Sequence, residues 1–219
     1  MNSQSFHKNS TLAAIADRLE RLQHHECSGT DRTRAAVAMI LREAGGDLEI
    51  LFIERARDER DPWSGHLAFP GGKVEQGENP RQAAERETWE EIGLDLQSAS
   101  FLGQFPDIVG ANLPVRVSCF VYGINTAPLD MVANAEVHDM FWVSLAEIAD
   151  TERHLTTMVG FSGTSMEVPA IILPQPDKPV LWGITYRLVM YLLEETSGSA
   201  SSEPLPDPFK QQGIQHNRN

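Results

Sequence analysis

Within residues 71–94, GGKVEQGENPRQAAERETWEEIGL, Glu87, Glu90 and Glu91 stand at i, i+3 and i+4, so a helix stacks all of them on one face. The flanking residues favour that helix. Asn79 is a good N-cap, Pro80 suits the first helical position, Gln82 can close a capping box, and Gly93 is a natural stop. The carboxylates fall in the last turn, where negative charge opposes the helix dipole, and a like-charged i, i+4 pair costs about 0.2–0.5 kcal/mol. A segment that breaks two local rules at one place is accommodating function. A divalent cation held by hard oxygen ligands relieves both.

The first half of the stretch holds the helix against a loop. Gly71, Gly72 and Gly77 allow tight turns and close approach of a ligand. Glu78 and Arg86 can pair between loop and helix, while Ala83, Ala84 and Ile92 form a small apolar surface for packing on a sheet. A solvated, charged helix is the plainer explanation of the glutamates. It does not require Gly72, Glu78, Arg86 and Gly93 in register with them.

Gly72, five residues, Glu78, seven residues, then Arg86-Glu87-Thr88-Trp89-Glu90-Glu91-Ile92-Gly93-Leu94 resembles the Nudix box, Gx5Ex7REUxEExGU. Every fixed position matches; Thr88 stands where the family usually carries an aliphatic residue. The resemblance implies that the box forms a loop-helix-loop supplying a metal site. Glu87, Glu90, Glu91 and the main-chain carbonyl of Gly71 would be ligands, and Gly72, Glu78, Arg86 and Gly93 would hold the shape. With oxygen ligands throughout, the implied cofactor is Mg²⁺, or Mn²⁺ in its place. Glu136 occupies the place where Nudix enzymes commonly bring a further carboxylate to the metals or the catalytic water; a solvent-facing loop glutamate is the alternative, and Asp139 is the reserve. Glu90, Glu91 and Glu136 are the candidate catalytic acids and bases.

Composition restricts the setting. The 219 residues suffice for one domain with a real core, and 41% hydrophobic content fits a globular chain. Lys and Arg number 18 against 31 Asp and Glu, a net charge of −13. That balance excludes a sequence-independent nucleic-acid binder and disfavours an anionic membrane surface. Residues 1–12 lack the basic and apolar regions of a secretory signal, and Cys27 and Cys119 show no metal or redox spacing. The expectation is a cytoplasmic protein, monomer or homodimer, with a small nucleotide-derived substrate and neither nucleic acid nor membrane as partner.

Along the chain, Leu12, Ile15, Leu19 and Leu22 recur at helical spacing over residues 10–26. Strands are expected over residues 35–41, 48–55, 66–69, 99–104, 115–122, 140–143 and 168–173. Residues 105–110 and 160–166 read as loops, the second of them flexible. Ser144 caps a short helix, and a final helix runs over residues 183–195 with Ile184, Leu188, Tyr191 and Leu192 on a core face. Residues 1–32 read as an extension with one amphipathic helix, 33–196 as the Nudix domain, and 197–219, rich in Pro and Ser, as a disordered tail. Strands around the carboxylate helix, with further helices at both ends, give an α/β class: an αβα sandwich around a mixed sheet. The resemblance implies the same fold.

The region before the box carries Arg55, Arg57 and Arg60, candidates for holding phosphates through charge-assisted bonds. Surface pairing with Asp58, Glu59 and Asp61 explains them equally well. Trp63 and Phe69 can stack on an adenine or pack in the core. His66 reads as a strand histidine satisfied by neighbours, with a general base as the alternative.

Outside the box, residues 51–55, 64–72 and 182–185 resemble the coenzyme A pyrophosphatase branch, although the upstream signature differs at residues 51–56 and at Trp63. The branch implies cleavage of coenzyme A or acyl-coenzyme A to 3′,5′-ADP and 4′-phosphopantetheine. Another nucleotide substrate (ADP-ribose, NADH or a nucleoside triphosphate) is the alternative within the family. A non-catalytic ligand sensor is the alternative outside enzymology; loss of a ligand glutamate usually marks one, and none is lost here.

Overall fold

The structure, a computed structural model, describes residues 11–22, 32–58, 61, 63–110, 114–124, 131–161 and 164–197. Expectations for Cys27, Arg60 and residues 198–219 lie outside them.

The long strands alternate their apolar side chains between two faces, and that alternation fixes the layers. In β1 (Thr33–Ala44), Met39 and Leu41 face one core while Ala36, Ala38 and Ile40 face the other. β2 (Asp47–Arg55) divides likewise, with Leu48, Ile50 and Phe52 against Leu51 and Ile53. So does β6 (Val115–Ile124), with Cys119 and Val121 against Phe120 and Tyr122. The first face packs α1 (Leu12–Leu19) and α4 (Gly183–Ser197), and the second packs α2 (Pro80–Ile92). The result is the expected αβα sandwich. Cys119 is a fully buried free thiol whose ionisation burial pushes well above the usual range.

The main sheet is mixed. β1 pairs in parallel with β6 over residues 33–42 and antiparallel with β2 only at residues 41–44. Below that point β1 and β2 separate, and the chain from β3 (Leu67–Ala68) to β4 (Gly71–Lys73) runs between them. β3 pairs with β2, β4 pairs with β1, and Ala38 N–H donates to the Pro70 carbonyl at 2.8 Å. The start of the carboxylate segment is thereby built into the sheet. β5 (Ser100–Val109) borders β6, and β7 (Val137–Ser144) borders β2 and leads into the short helix α3 (Leu145–Ile148).

Several expectations need correction. The first helix ends at Leu19, although its apolar spacing runs on to Leu22. Residues 105–109 are strand, because Phe105, Ile108 and Val109 pair with Cys119, Val117 and Arg116 past a bulge. The stretch read as a flexible loop at 160–166 lies mostly in a hairpin of β8 (His154–Phe161) and β9 (Thr164–Ile171), joined by β10 (Leu181–Trp182) into a second sheet. β4 was unforeseen too, since two glycines and a lysine carry no strand pattern.

Candidate active site

The carboxylate helix is capped as its sequence requires. Gln82 N–H donates to Asn79 Oδ1 at 3.0 Å and Asn79 N–H to Gln82 Oε1 at 2.9 Å. At the far end Gly93 takes φ 69° and its N–H reaches the Trp89 carbonyl. Thr88, buried inside the helix, donates its hydroxyl to the Ala84 carbonyl at 2.7 Å, so the polar substitute is satisfied locally. Tyr122 on β6 donates to Glu85 and lies beside Arg81, tying the helix to the sheet.

Arg86 organises the loop. Its Nε and Nη2 bind both Glu78 oxygens at 3.2 and 2.9 Å, and Nη2 also donates to the Lys73 carbonyl. Nη1 lies 3.0 Å from Glu87 Oε1 and 3.0 Å from Glu90 Oε2. The bond from Arg86, reinforced by the Glu75 N–H, holds the Glu78 carboxyl below its usual range, and Arg86 itself is raised by Glu78.

Glu91 is 2% exposed, and its Oε2 accepts the Gly71 N–H at 2.9 Å. Burial pushes its pKa up to about 7, against the lowering effects of Gly71 and of Arg55, whose Nη1 lies 3.9 Å away. Burial also raises Glu87, despite Arg86. Glu136, on the segment before β7, is exposed, and its charge adds to the upward shifts of Glu87 and Glu91. Desolvation of the buried Glu91 and the half-buried Glu87 therefore outweighs the guanidinium groups beside them.

Two neighbouring glycines shape this place. Gly71 has φ 151°, and a Cβ there would run into the Ala36 carbonyl and stand 2.6 Å from Val37 Cα. A Cβ on Gly72 would occupy the position of the Glu87 carboxylate. The donor set suits an oxygen-seeking divalent cation: carboxylates at Glu87 and Glu91, raised in pKa chiefly by desolvation, beside glycine backbone. As positioned, no group of three acidic, histidine or cysteine side chains among the described residues stands ready to grip an ion, Glu90 being turned to Arg86.

A cavity of about 460 Å³ adjoins Gly71 and Gly72, with Trp63, His66, Val117 and Trp182 among its walls. A second, more polar recess contains Arg55, Arg57, Asp58, Asp61 and Glu136. Arg55 lines both, held by Asp61 through Nε at 2.9 Å and Nη2 at 2.7 Å. Arg57 and Trp63 are exposed. Phe69, a candidate for stacking on substrate, lines the cavity but is 2% exposed and stacked on Phe52 with centroids 5.3 Å apart, so its ring packs in the core. The His66 ring meets Trp182 edge-on at 5.0 Å, and burial lowers its pKa. Asp139 belongs elsewhere: Lys178 bridges it to Glu54. Sequence reading missed Arg187, which lines the cavity from α4.

A mixed sheet under helices, with a loop-helix-loop presenting carboxylates beside two glycines, is the αβα framework expected from the box. The chain belongs to the NUDIX domain family, which it matches over residues 32–159. It is similar to a peroxisomal coenzyme A diphosphatase of Caenorhabditis elegans, 30% identical over 130 residues, 57% of this chain and 54% of that protein. It also resembles the 8-oxo-dGTP diphosphatase of Escherichia coli, 39% identical over 80 residues, 35% of this chain and 58% of that one. A Schizosaccharomyces pombe protein is 27% identical over 175 residues, 76% of this chain and 53% of that protein, so the chain spans about half the length of these curated relatives. A solved MutT/nudix family protein from Enterococcus faecalis shares the fold, with TM-score 0.53 and 18% identity over 92% of this chain and 75% of its own. Among the described residues no helix is long and apolar enough to cross a membrane.

Proposed function

We propose that the chain is a metal-dependent hydrolase of the phosphate–phosphate link in a nucleoside diphosphate derivative, with coenzyme A or an acyl-coenzyme A as substrate. The carrying observation is the pair of carboxyls, half-buried Glu87 and buried Glu91, raised in pKa and set against the glycine backbone beside a largely apolar cavity. Similarity to a coenzyme A diphosphatase supports the substrate.

Glu87, Glu90, Glu91 and the Gly71 carbonyl would hold Mg²⁺ or Mn²⁺, with Glu90 swinging from Arg86. A bound divalent ion supplies charge neutralisation at the phosphate oxygens and a more acidic water. The chain's own part is positioning. Arg86 and Glu78 fix the loop, Gly72 leaves room for the Glu87 carboxylate, and Gly93 ends the helix beyond the carboxylates. Arg55 and Arg57 offer guanidinium groups to phosphate oxygens, and Trp63 offers an exposed ring. Water oxygen bonds to one phosphorus, the bridging P–O bond breaks, and the other phosphate leaves with the bridging oxygen. Glu90, Glu91 or Glu136 takes the proton the water gives up. A cytoplasmic setting remains part of the reading, although the similar coenzyme A diphosphatase is a peroxisomal protein by name.

Incubation of the protein with coenzyme A and Mg²⁺ is expected to release 3′,5′-adenosine bisphosphate and 4′-phosphopantetheine, resolved by chromatography, with no release when the metal is chelated. Rapid cleavage of ADP-ribose, NADH or a nucleoside triphosphate with coenzyme A left intact would move the chain to another substrate. Gly72→Ala tests the metal site separately. Its backbone tolerates alanine, but the methyl displaces the Glu87 carboxylate, so Mn²⁺ affinity by titration calorimetry is expected to fall about tenfold or more, with the circular dichroism spectrum kept.

A further inference from the structure

Arg187 is out of keeping with the cavity it lines. It is 9% exposed on α4, at a part of the cavity wall it shares with Trp182, Ile184, Val115 and Val117, while the charged Arg55, Asp61 and Lys73 also line that cavity. Nη1 donates to the Val109 carbonyl at 3.1 Å, while the buried Nε has no hydrogen-bond partner among the described residues. No carboxylate among those residues pairs with it, in contrast to Arg42, Arg55, Arg81 and Arg86. A buried guanidinium cannot shed its proton, so burial without a counter-ion leaves both charge and donors uncompensated. An isolated backbone carbonyl answers one donor and none of the net charge.

We infer that Arg187 is a specificity-determining residue, binding a phosphate monoester on the nucleoside half of the substrate, the half that enters the apolar cavity. The inference rests on the hydrolase reading above and narrows it. The cavity's aromatic walls suit a base, its volume of about 460 Å³ falls within the range of small-molecule sites, and a buried cation with no carboxylate partner among the described residues calls for an anion apart from the scissile diphosphate. A neutral chain of amides would fill donors and leave the charge unanswered; a ribose 3′-phosphate answers both. Arg187 thereby favours a 3′-phosphorylated nucleotide over its dephosphorylated counterpart.

The test is metal-free calorimetric binding of the two products that differ only at this group, adenosine 3′,5′-bisphosphate and adenosine 5′-monophosphate. Wild-type protein is expected to prefer the bisphosphate by about tenfold or more, and Arg187→Met to reduce the ratio to near one. Arg187→Lys keeps a point charge without the planar fork, and the ratio is expected to fall several-fold; it carries the test if the methionine variant does not fold. Equal affinities in wild type, or a preference that persists in a folded methionine variant, overturns the inference. So does failure of both nucleotides to bind wild-type protein that still hydrolyses coenzyme A, in which case the hydrolase reading survives. An Arg187-dependent preference in a protein that does not cleave coenzyme A supports this inference and removes the substrate assignment instead.

Discussion

Glu91→Gln is expected to lower kcat by ~10³-fold or more, about 4 kcal/mol of activation free energy, while making the metal-free protein more stable at alkaline pH. The opposed outcomes have one cause. Burial raises the Glu91 pKa from 4.5 to about 7, so the folded chain keeps a proton that the unfolded chain has released. The stability contributed by this group is fully present below about pH 4.5, declines as pH rises, and is lost above about pH 7. Glutamine fills the same volume and carries no charge, which removes the decline. The shift sets an upper bound of roughly 3 kcal/mol on the gain at pH 8; Arg55 at 3.9 Å reduces it. Thermal melts at pH 4.5 and pH 8 with chelator give the stability arm, and steady-state hydrolysis with Mg²⁺ gives the other. Mg²⁺ is expected to raise the melting temperature of wild type and much less that of the variant. A variant with wild-type turnover removes Glu91 from the ligand set. A variant destabilised equally at both pH values removes the electrostatic account of its burial.

The box was legible because its constraints are local. Caps, the Gly93 stop and the stacking of Glu87, Glu90 and Glu91 follow from spacing along a single helix, and the capping bonds of Asn79 and Gln82 match. The apolar runs within β1, β2 and β6 similarly read as strands, and the helices at both ends of the chain placed their sheet between two helical layers. What escaped depends on distant partners. Gly71–Lys73 becomes a strand only because β1 and β2 part and leave unpaired backbone for it. Residues 105–109 carry a Pro-Asp pair that reads as a turn, yet the sheet absorbs it through a bulge opposite β6. Phe69 looks equally suited to a ligand or a core until Phe52 is found beneath it. Arg187 sits in an ordinary amphipathic pattern; its significance lies in being buried with no carboxylate paired to it among the described residues, and a linear sequence cannot display that.

The pair Gly71 and Gly72 separates folding from chemistry within two residues, and Gly71→Ala is the larger perturbation. At φ 151° an L side chain is strained before any neighbour is considered. Its Cβ then meets backbone atoms of Ala36 and Val37, in the strand that anchors the whole sheet, and 2.9 Å away the Val37 side chain. Backbone in the middle of β1 cannot step aside without disturbing its pairing to β6 on the far edge. Relief must come from moving Gly71, which breaks the β4 pairing and withdraws the N–H from buried Glu91. Strain, lost strand bonds and an unsatisfied buried carboxyl together are expected to cost roughly 4 kcal/mol or more, a large part of the stability of a typical domain. Urea denaturation is expected to show a midpoint shifted far below wild type, or insoluble expression, whereas Gly72→Ala unfolds near the wild-type midpoint. If Gly71→Ala melts like wild type, the close approach of β4 to β1 is not what seats the glutamates.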